Sequence, residues 1–222
     1  QSTRSSQLRE KPTTMRRTSA RSLSGRARAA LQRNDIAEAD RLCRRMLDRD
    51  PSDAEALGLT GIVAVKTRDL DRAVPLLTDA TVAFPEDASL HLHLGAAHLL
   101  MGRPTDALAA LDRSYALQPN DPVALNVRAC ALGSLRRFEE SIECCDRALR
   151  LKPGYAAALV NRGNALIELG RHEQALISFE SALAADANSI EAINNCANTL
   201  KSLGRFAEAL RHYDRALTLQ PA

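Results

Sequence analysis

Three histidines within eight residues, His91, His93 and His98, are the side chains best suited to metal chemistry. Two imidazoles bind one ion from a single helix face when they stand four residues apart. These spacings are two, five and seven, so the sequence supports a core or surface role and no metal site. The adjacent thiols Cys144 and Cys145 are the second candidate, as a redox or soft-metal pair. Adjacency supplies no ligand geometry, and reduced cysteines commonly act as small core residues. Five cysteines without a C-x-x-C pair exclude both a disulfide framework and a zinc knuckle, and they fit a reducing, cytoplasmic compartment. No glycine-rich phosphate loop, G-x-S-x-G elbow or H-E-x-x-H motif occurs. The sequence therefore predicts no catalytic residue, no metal and no cofactor.

Asparagine is a different matter. Asn161, Asn164, Asn194, Asn195 and Asn198 fall where the sequence reads as helix, although Asn is a mediocre helix former. A carboxamide donates and accepts at once, so a row of them can hold a peptide backbone. The other reading is that these amides bond to one another between neighbouring helices, since inter-helix Asn must be satisfied.

The elements that position them follow from a period of 34 residues. Residues 54–87, 88–121, 122–155, 156–189 and 190–222 align without a gap. One column reads Gly61, Gly95, Ala129, Gly163, Ala197, and a second Ala73, Ala107, Ser141, Ala175, Ala209. A third reads Ala80, Ser114, Ala148, Ala182, Ala216. A proline column, Pro85, Pro119, Pro153 and Pro221, is broken by Ala187. Residues 20–53 fit the same register through Ala27, Ala39, Met46 and Pro51. Each unit holds two apolar stripes at helical spacing, as in Leu159, Leu166, Leu169 and then Leu176, Phe179, Leu183. Small residues let the two helices approach. Gly102, Gly170 and Gly204 mark the turn between them, and proline marks the end of the second helix. Asp53, Asp87 and Ser189 suit the N-cap of the next unit. Pro75 conflicts with its second helix and predicts a late start or a kink there. Self-similarity at this period means a stacked array.

These columns resemble the tetratricopeptide repeat, in its bacterial-type form. The nearest copy is Leu159-Val160-Asn161-Arg162-Gly163-Asn164-Ala165-Leu166 with Leu169-Gly170-Arg171, Ala175, Phe179 and Ala182. The resemblance covers residues 20–222. It implies an all-α, right-handed superhelical solenoid of about six helix-turn-helix units, at 20–53, 54–87, 88–121, 122–155, 156–189 and 190–222. It also implies a non-catalytic protein–protein interaction scaffold that takes a peptide or partner segment in the concave groove lined by the first helices. By column, that groove holds Leu59, Ile62, Leu92 and His93 as an apolar end. Asn126 and Val127 follow, and then the amides Asn161, Asn164, Asn194, Asn195 and Asn198. Some relatives clamp a C-terminal carboxylate with Lys, Arg and Asn. The corresponding columns here hold Asn126, Cys130, Asn161, Glu191 and Asn195, so that use is set aside. The alternative is the substrate-recruiting N-terminal arm of a larger enzyme, similar to an O-linked N-acetylglucosamine transferase, with its catalytic domain beyond Ala222. The apolar last helix fits an array that continues or abuts another domain.

Charge is segregated. Residues 1–19 carry Arg4, Arg9, Lys11, Arg16 and Arg17 against Glu10, and read as a basic, disordered leader; Met15 is an alternative start. The net charge of the whole chain is +3, so the array itself is near neutral, and aromatics are 3%. Nucleic acid is not an expected ligand of the array. No run of 18 apolar residues predicts a membrane span. Self-association through the exposed ends is compatible with the pattern.

Overall fold

The computed structural model describes residues 22–219. The leader, Met15 and Pro221 lie outside the described residues. Twelve α-helices and no strand occur among the described residues: α1 Leu23–Gln32, α2 Ile36–Leu47, α3 Ala54–Lys66, α4 Leu70–Ala83, α5 Ala88–Leu100, α6 Pro104–Leu117, α7 Pro122–Ser134, α8 Phe138–Leu151, α9 Ala156–Glu168, α10 His172–Ala185, α11 Ile190–Ser202 and α12 Phe206–Leu219. Odd-numbered helices are the first of each pair. From α4 onward every helix starts 34 residues after its counterpart. Each first helix packs on its own second helix and on the second helix before it, and the first helices also touch one another, α3 with α5, α5 with α7, α7 with α9. The result is an all-α array of stacked helix pairs.

The small columns explain the close pairing. A Cβ on Gly61 would stand 2.8 Å from Leu77 Cγ, and one on Gly95 3.1 Å from the Ala107 carbonyl oxygen. On Gly163 it would collide with the Phe179 ring. The glycine thus makes room for the large residue of the second helix, and Leu77, Leu111 and Phe179 are fully buried as a consequence.

The turn column is a more varied set than its glycines suggest. Gly102, Gly170 and Gly204 have φ of 70°, 72° and 76°, and the same column holds Asn34, Arg68 and Arg136 at 59°, 64° and 59°. The array imposes the left-handed turn whatever residue stands there. Caps follow a similar logic. Asp53 accepts from the amides of Glu55 and Ala56, Asp87 from Ser89 and Leu90, Ser189 from Ala192. Asp121 caps α7 in the same column, while Tyr155 gives α9 no side-chain cap. The late start expected from Pro75 does not occur. α4 begins at Leu70, in step with the other second helices, and runs through the proline. Packing of both faces outweighs one absent backbone hydrogen bond. α10 still stops at Ala185 although Ala187 replaces the column's proline.

Candidate functional site

The first helices of the last three pairs, α7, α9 and α11, enclose a cavity of about 700 Å³. Asn161 and Asn164 line it from α9, Asn195, Asn198 and Thr199 from α11, Cys130 and Ser134 from α7. Phe138 and Phe179 form apolar wall from the second helices behind.

The amides are tied together diagonally. Asn161 Nδ2 donates to Asn126 Oδ1 at 2.8 Å and to Cys130 Sγ at 3.1 Å. Asn195 Nδ2 donates to Asn164 Oδ1 at 3.0 Å, one pair further along. Tyr213 Oη donates to Asn198 Oδ1 at 2.6 Å. These bonds fit the reading in which the amides fasten neighbouring helices. One half of each carboxamide fastens the array. The Nδ2 groups of Asn164 and Asn198 keep no protein partner among the described residues, and both side chains are exposed. Asn161 and Asn195 are half-buried beside them, and each keeps its carbonyl oxygen. Nearby hydroxyls are turned inward: Ser134, Thr199 and Ser202 donate to the carbonyls of Cys130, Asn195 and Asn198.

Charge enters the cavity at one edge. Arg136 and Glu168 are its charged lining residues. Their closest atoms are 3.9 Å apart, and the Arg136 guanidinium lies 5.3 Å from the Phe138 ring centre. Burial raises the Cys130 thiol pKa while the Asn161 bond pulls it back, so the thiol is neutral near pH 7. Away from that edge the lining side chains are uncharged, and the amides among them keep unspent donors and acceptors.

The other groove candidates are placed differently. Leu59, Ile62 and Leu92 are 2%, 5% and 9% exposed and belong to the core. Their apolar side chains lie between the helices, where removal from water is favourable. They are not open anchors for a ligand. Val127 is half-buried and packs against the core around Leu111 and Leu132. His93 is half-buried, its Nδ1 2.7 Å from the Ser89 carbonyl oxygen, and burial lowers its pKa. Asn194 is half-buried on α11 but does not line the cavity. Asn126 is buried and acts as the acceptor for Asn161. The sequence reading did not name Ser134 and Ser202 as lining residues, and it gave Cys130 only as a clamp-column residue. Their columns carry the signal, because Cys130 precedes Asn164 and Asn198 by one and two periods.

The remaining chemical candidates are structural. His91 Nε2 lies 3.0 Å from the Pro85 carbonyl oxygen, and His98 Nδ1 is buried. Cys144 Sγ accepts from Arg128 Nη1 at 2.9 Å, and Arg128 Nε also binds Asp112. One period on, Arg162 repeats this with Asp146 and Ser178. Cys145 faces the core, where burial pushes its thiol pKa up. Burial likewise raises Cys43 to about 11 and Cys196 to about 12. Among the described residues no group of three His, Cys, Asp or Glu can hold a metal ion, and no helix is long and apolar enough to cross a membrane.

A repeating helix pair with a small residue at the contact inside each pair defines a class, and comparison agrees. A model of the tetratricopeptide repeat matches residues 24–73, 59–122 and 126–190, and a second model of that repeat matches 190–222. The chain belongs to the tetratricopeptide repeat family and is a protein-interaction scaffold. It is similar to Protein FlbA of Caulobacter vibrioides, 30% identical over 118 residues. That match takes in 53% of this chain and 20% of FlbA, so the chain spans about a fifth of that relative. Among solved structures, MamA matches 72% of this chain and 94% of its own at a TM-score of 0.65 with 22% identity. MamA AMB-1 gives 0.65 with 26% identity over 73% of this chain and 96% of its own. The APC/C hetero-tetramer Cut9–Hcn1 gives 0.78 with 23% identity over 90% of this chain and 39% of its own. The two matches below 25% identity bear on the fold alone.

Proposed function

We propose that the last three helix pairs bind an extended segment of a partner protein in the amide-lined cavity, without catalysis by these residues. The observation that carries this reading is the pair of unpartnered Nδ2 groups on Asn164 and Asn198. They lie one period apart, beside the Asn195 carboxamide, in a cavity whose charged lining residues are Arg136 and Glu168 at one edge. Two donors on successive first helices suit the carbonyl oxygens of an extended backbone. The diagonal bonds hold the carboxamides in place before a ligand arrives, so little ordering entropy is lost on binding. A backbone-directed wall of this kind tolerates varied ligand side chains. Phe138, half-buried, adds apolar contact at its base.

Peptides selected from a random phage library on the 222-residue chain provide the probe. Asn164→Ala with Asn198→Ala should weaken a selected peptide roughly tenfold, as expected for two lost hydrogen bonds of about 0.5–1.5 kcal/mol each. Helicity should be unchanged, because both side chains are exposed. Unchanged affinity would remove the amides from the binding site.

A further inference from the structure

We propose that the face between α6 and α8 takes a single carboxylate side chain from an acidic segment of a partner protein. A cavity of about 370 Å³ opens there, with α7 contributing to its wall. It is separate from the amide-lined cavity. Arg128 lines the one and Cys130 the other, and two residues along a helix turn the side chain by about 200°. Arg113 and Arg147 stand one period apart on α6 and α8. Arg113 closes an ion pair with Glu86 at 2.6 Å. One period on from Glu86 stands Asn120, and Arg147 Nη2 donates to its Oδ1 at 3.2 Å. Arg147 Nη1 donates to Tyr115 Oη, and the guanidinium lies 5.1 Å from the centre of that ring. Both partners are neutral. Arg147 is half-buried, and its Nε–H has no partner among the described residues.

The carboxylates nearby are engaged elsewhere. Asp112 pairs with Arg128 at 2.7 Å and Asp146 with Arg162 at 2.6 Å. Arg150 lines the same cavity one turn further along α8, exposed and without an ion pair or hydrogen bond among the described residues. The counterparts of Arg150 on α4, α6 and α10 are Val82, Ala116 and Ala184, so this second cation belongs to one helix pair only. A guanidinium fixed by two bonds and stacked on a ring is an ordered fork for a carboxylate. Its charge, partly withdrawn from water and lacking a counterion, is stabilised by an arriving anion. Glu143 also lines the cavity, and no ion pair engages it among the described residues. It repels a second negative charge, so the site fits a carboxylate better than a phosphate dianion. The leader is a poor source of that group, because Glu10 is its one carboxylate among Arg4, Arg9, Lys11, Arg16 and Arg17.

The arginine Nε–H resonances of the 222-residue chain, followed in slightly acidic, low-salt buffer, test this. The probes are a capped pentapeptide with one central glutamate, the same peptide with glutamine there, and inorganic phosphate. The glutamate peptide should shift Arg147 and Arg150 to saturation. The glutamine peptide should bind about tenfold more weakly, the loss expected when a hydrogen bond to a charged group becomes a neutral one. Asn120→Glu gives Arg147 the internal partner that Glu86 gives Arg113. Asn120 is exposed, so the fold should be kept while the response to the glutamate peptide is lost. No saturable shift of Arg147, an equal response to the glutamine peptide, or a response that survives Asn120→Glu overturns the proposal. Phosphate moving these resonances where the glutamate peptide does not overturns it as well, and assigns the cavity to a phosphate group. None of these results bears on the amide-lined cavity.

Discussion

Asn161 Nδ2 lies 2.8 Å from Asn126 Oδ1, so a carboxamide on α9 closes its hydrogen bond on the helix pair before it. Asn126 is buried, and its oxygen takes this bond where water has little access. Asn161→Ala should therefore destabilise the chain by about 1–3 kcal/mol, the range for leaving a buried acceptor unsatisfied. Asn164→Ala, at an exposed side chain, should change stability by less than about 1 kcal/mol. Urea unfolding of the two variants separates them. Equal effects would mean that the Asn161 bond contributes no more than a surface contact.

The small column makes a second, two-sided prediction. Gly61→Ala forces a Cβ to 2.8 Å from Leu77 Cγ and should cost about 1–3 kcal/mol through overpacking. At Gly133, in the last turn of α7, the nearest atom would be Ser141 Oγ at 3.8 Å. Gly133→Ala should be neutral or stabilising by up to about 1 kcal/mol, from helix propensity. Thermal melts of both variants check the contrast.

Arg68 holds φ at 64° in an exposed turn. A side chain in this conformation costs roughly 1–2 kcal/mol, and glycine gives back part of the gain through backbone entropy. Arg68→Gly should stabilise the chain by about 0.5–1 kcal/mol in denaturant unfolding. Arg68→Ala, which keeps the Cβ, should not.

Burial lowers the His93 pKa, with the Ser89 carbonyl opposing and Lys66, Asp87 and Asp121 adding smaller effects. Above about 6.5, the ordinary histidine value, neither folded nor unfolded chain holds the proton and stability is full. As pH falls below that value the unfolded chain takes up a proton that the fold refuses, so stability drops until the lowered folded pKa is reached. His212 is shifted the same way, by burial and Arg215. Chemical unfolding between pH 7.5 and 5, as approximate limits around that pKa, should show this loss, and His93→Gln should reduce its slope.

Much of this was readable from spacing. The 34-residue period places the helix starts from α3 to α12, because every unit must present the same faces to its neighbours. The caps Asp53, Asp87 and Ser189 and the turn glycines follow from local backbone chemistry. Arg68 and Arg136 were not readable as left-handed residues, since the array enforces that turn against their preference. The late start read from Pro75 fails for the same reason. The bonds between the asparagines were not legible in the sequence. Columns align Asn161 with Asn195 and Asn164 with Asn198, whereas the bonds run Asn161 to Asn126 and Asn195 to Asn164. Which side chain reaches which neighbour depends on the offset between stacked pairs, and a period does not contain that offset. Leu59, Ile62 and Leu92 show the same gap, as groove columns whose apolar side chains turn into the core.

The most direct test of the amide-lined cavity uses the side-chain carboxamide resonances in a nitrogen–proton correlation spectrum, recorded while a phage-selected peptide is titrated in. The account predicts that Asn164, Asn195 and Asn198 shift first and furthest, with Cys130 and Ser134 amides following. Shifts confined to the second helices, around exposed Ile177 and Val82, with the three carboxamides unmoved, would contradict it.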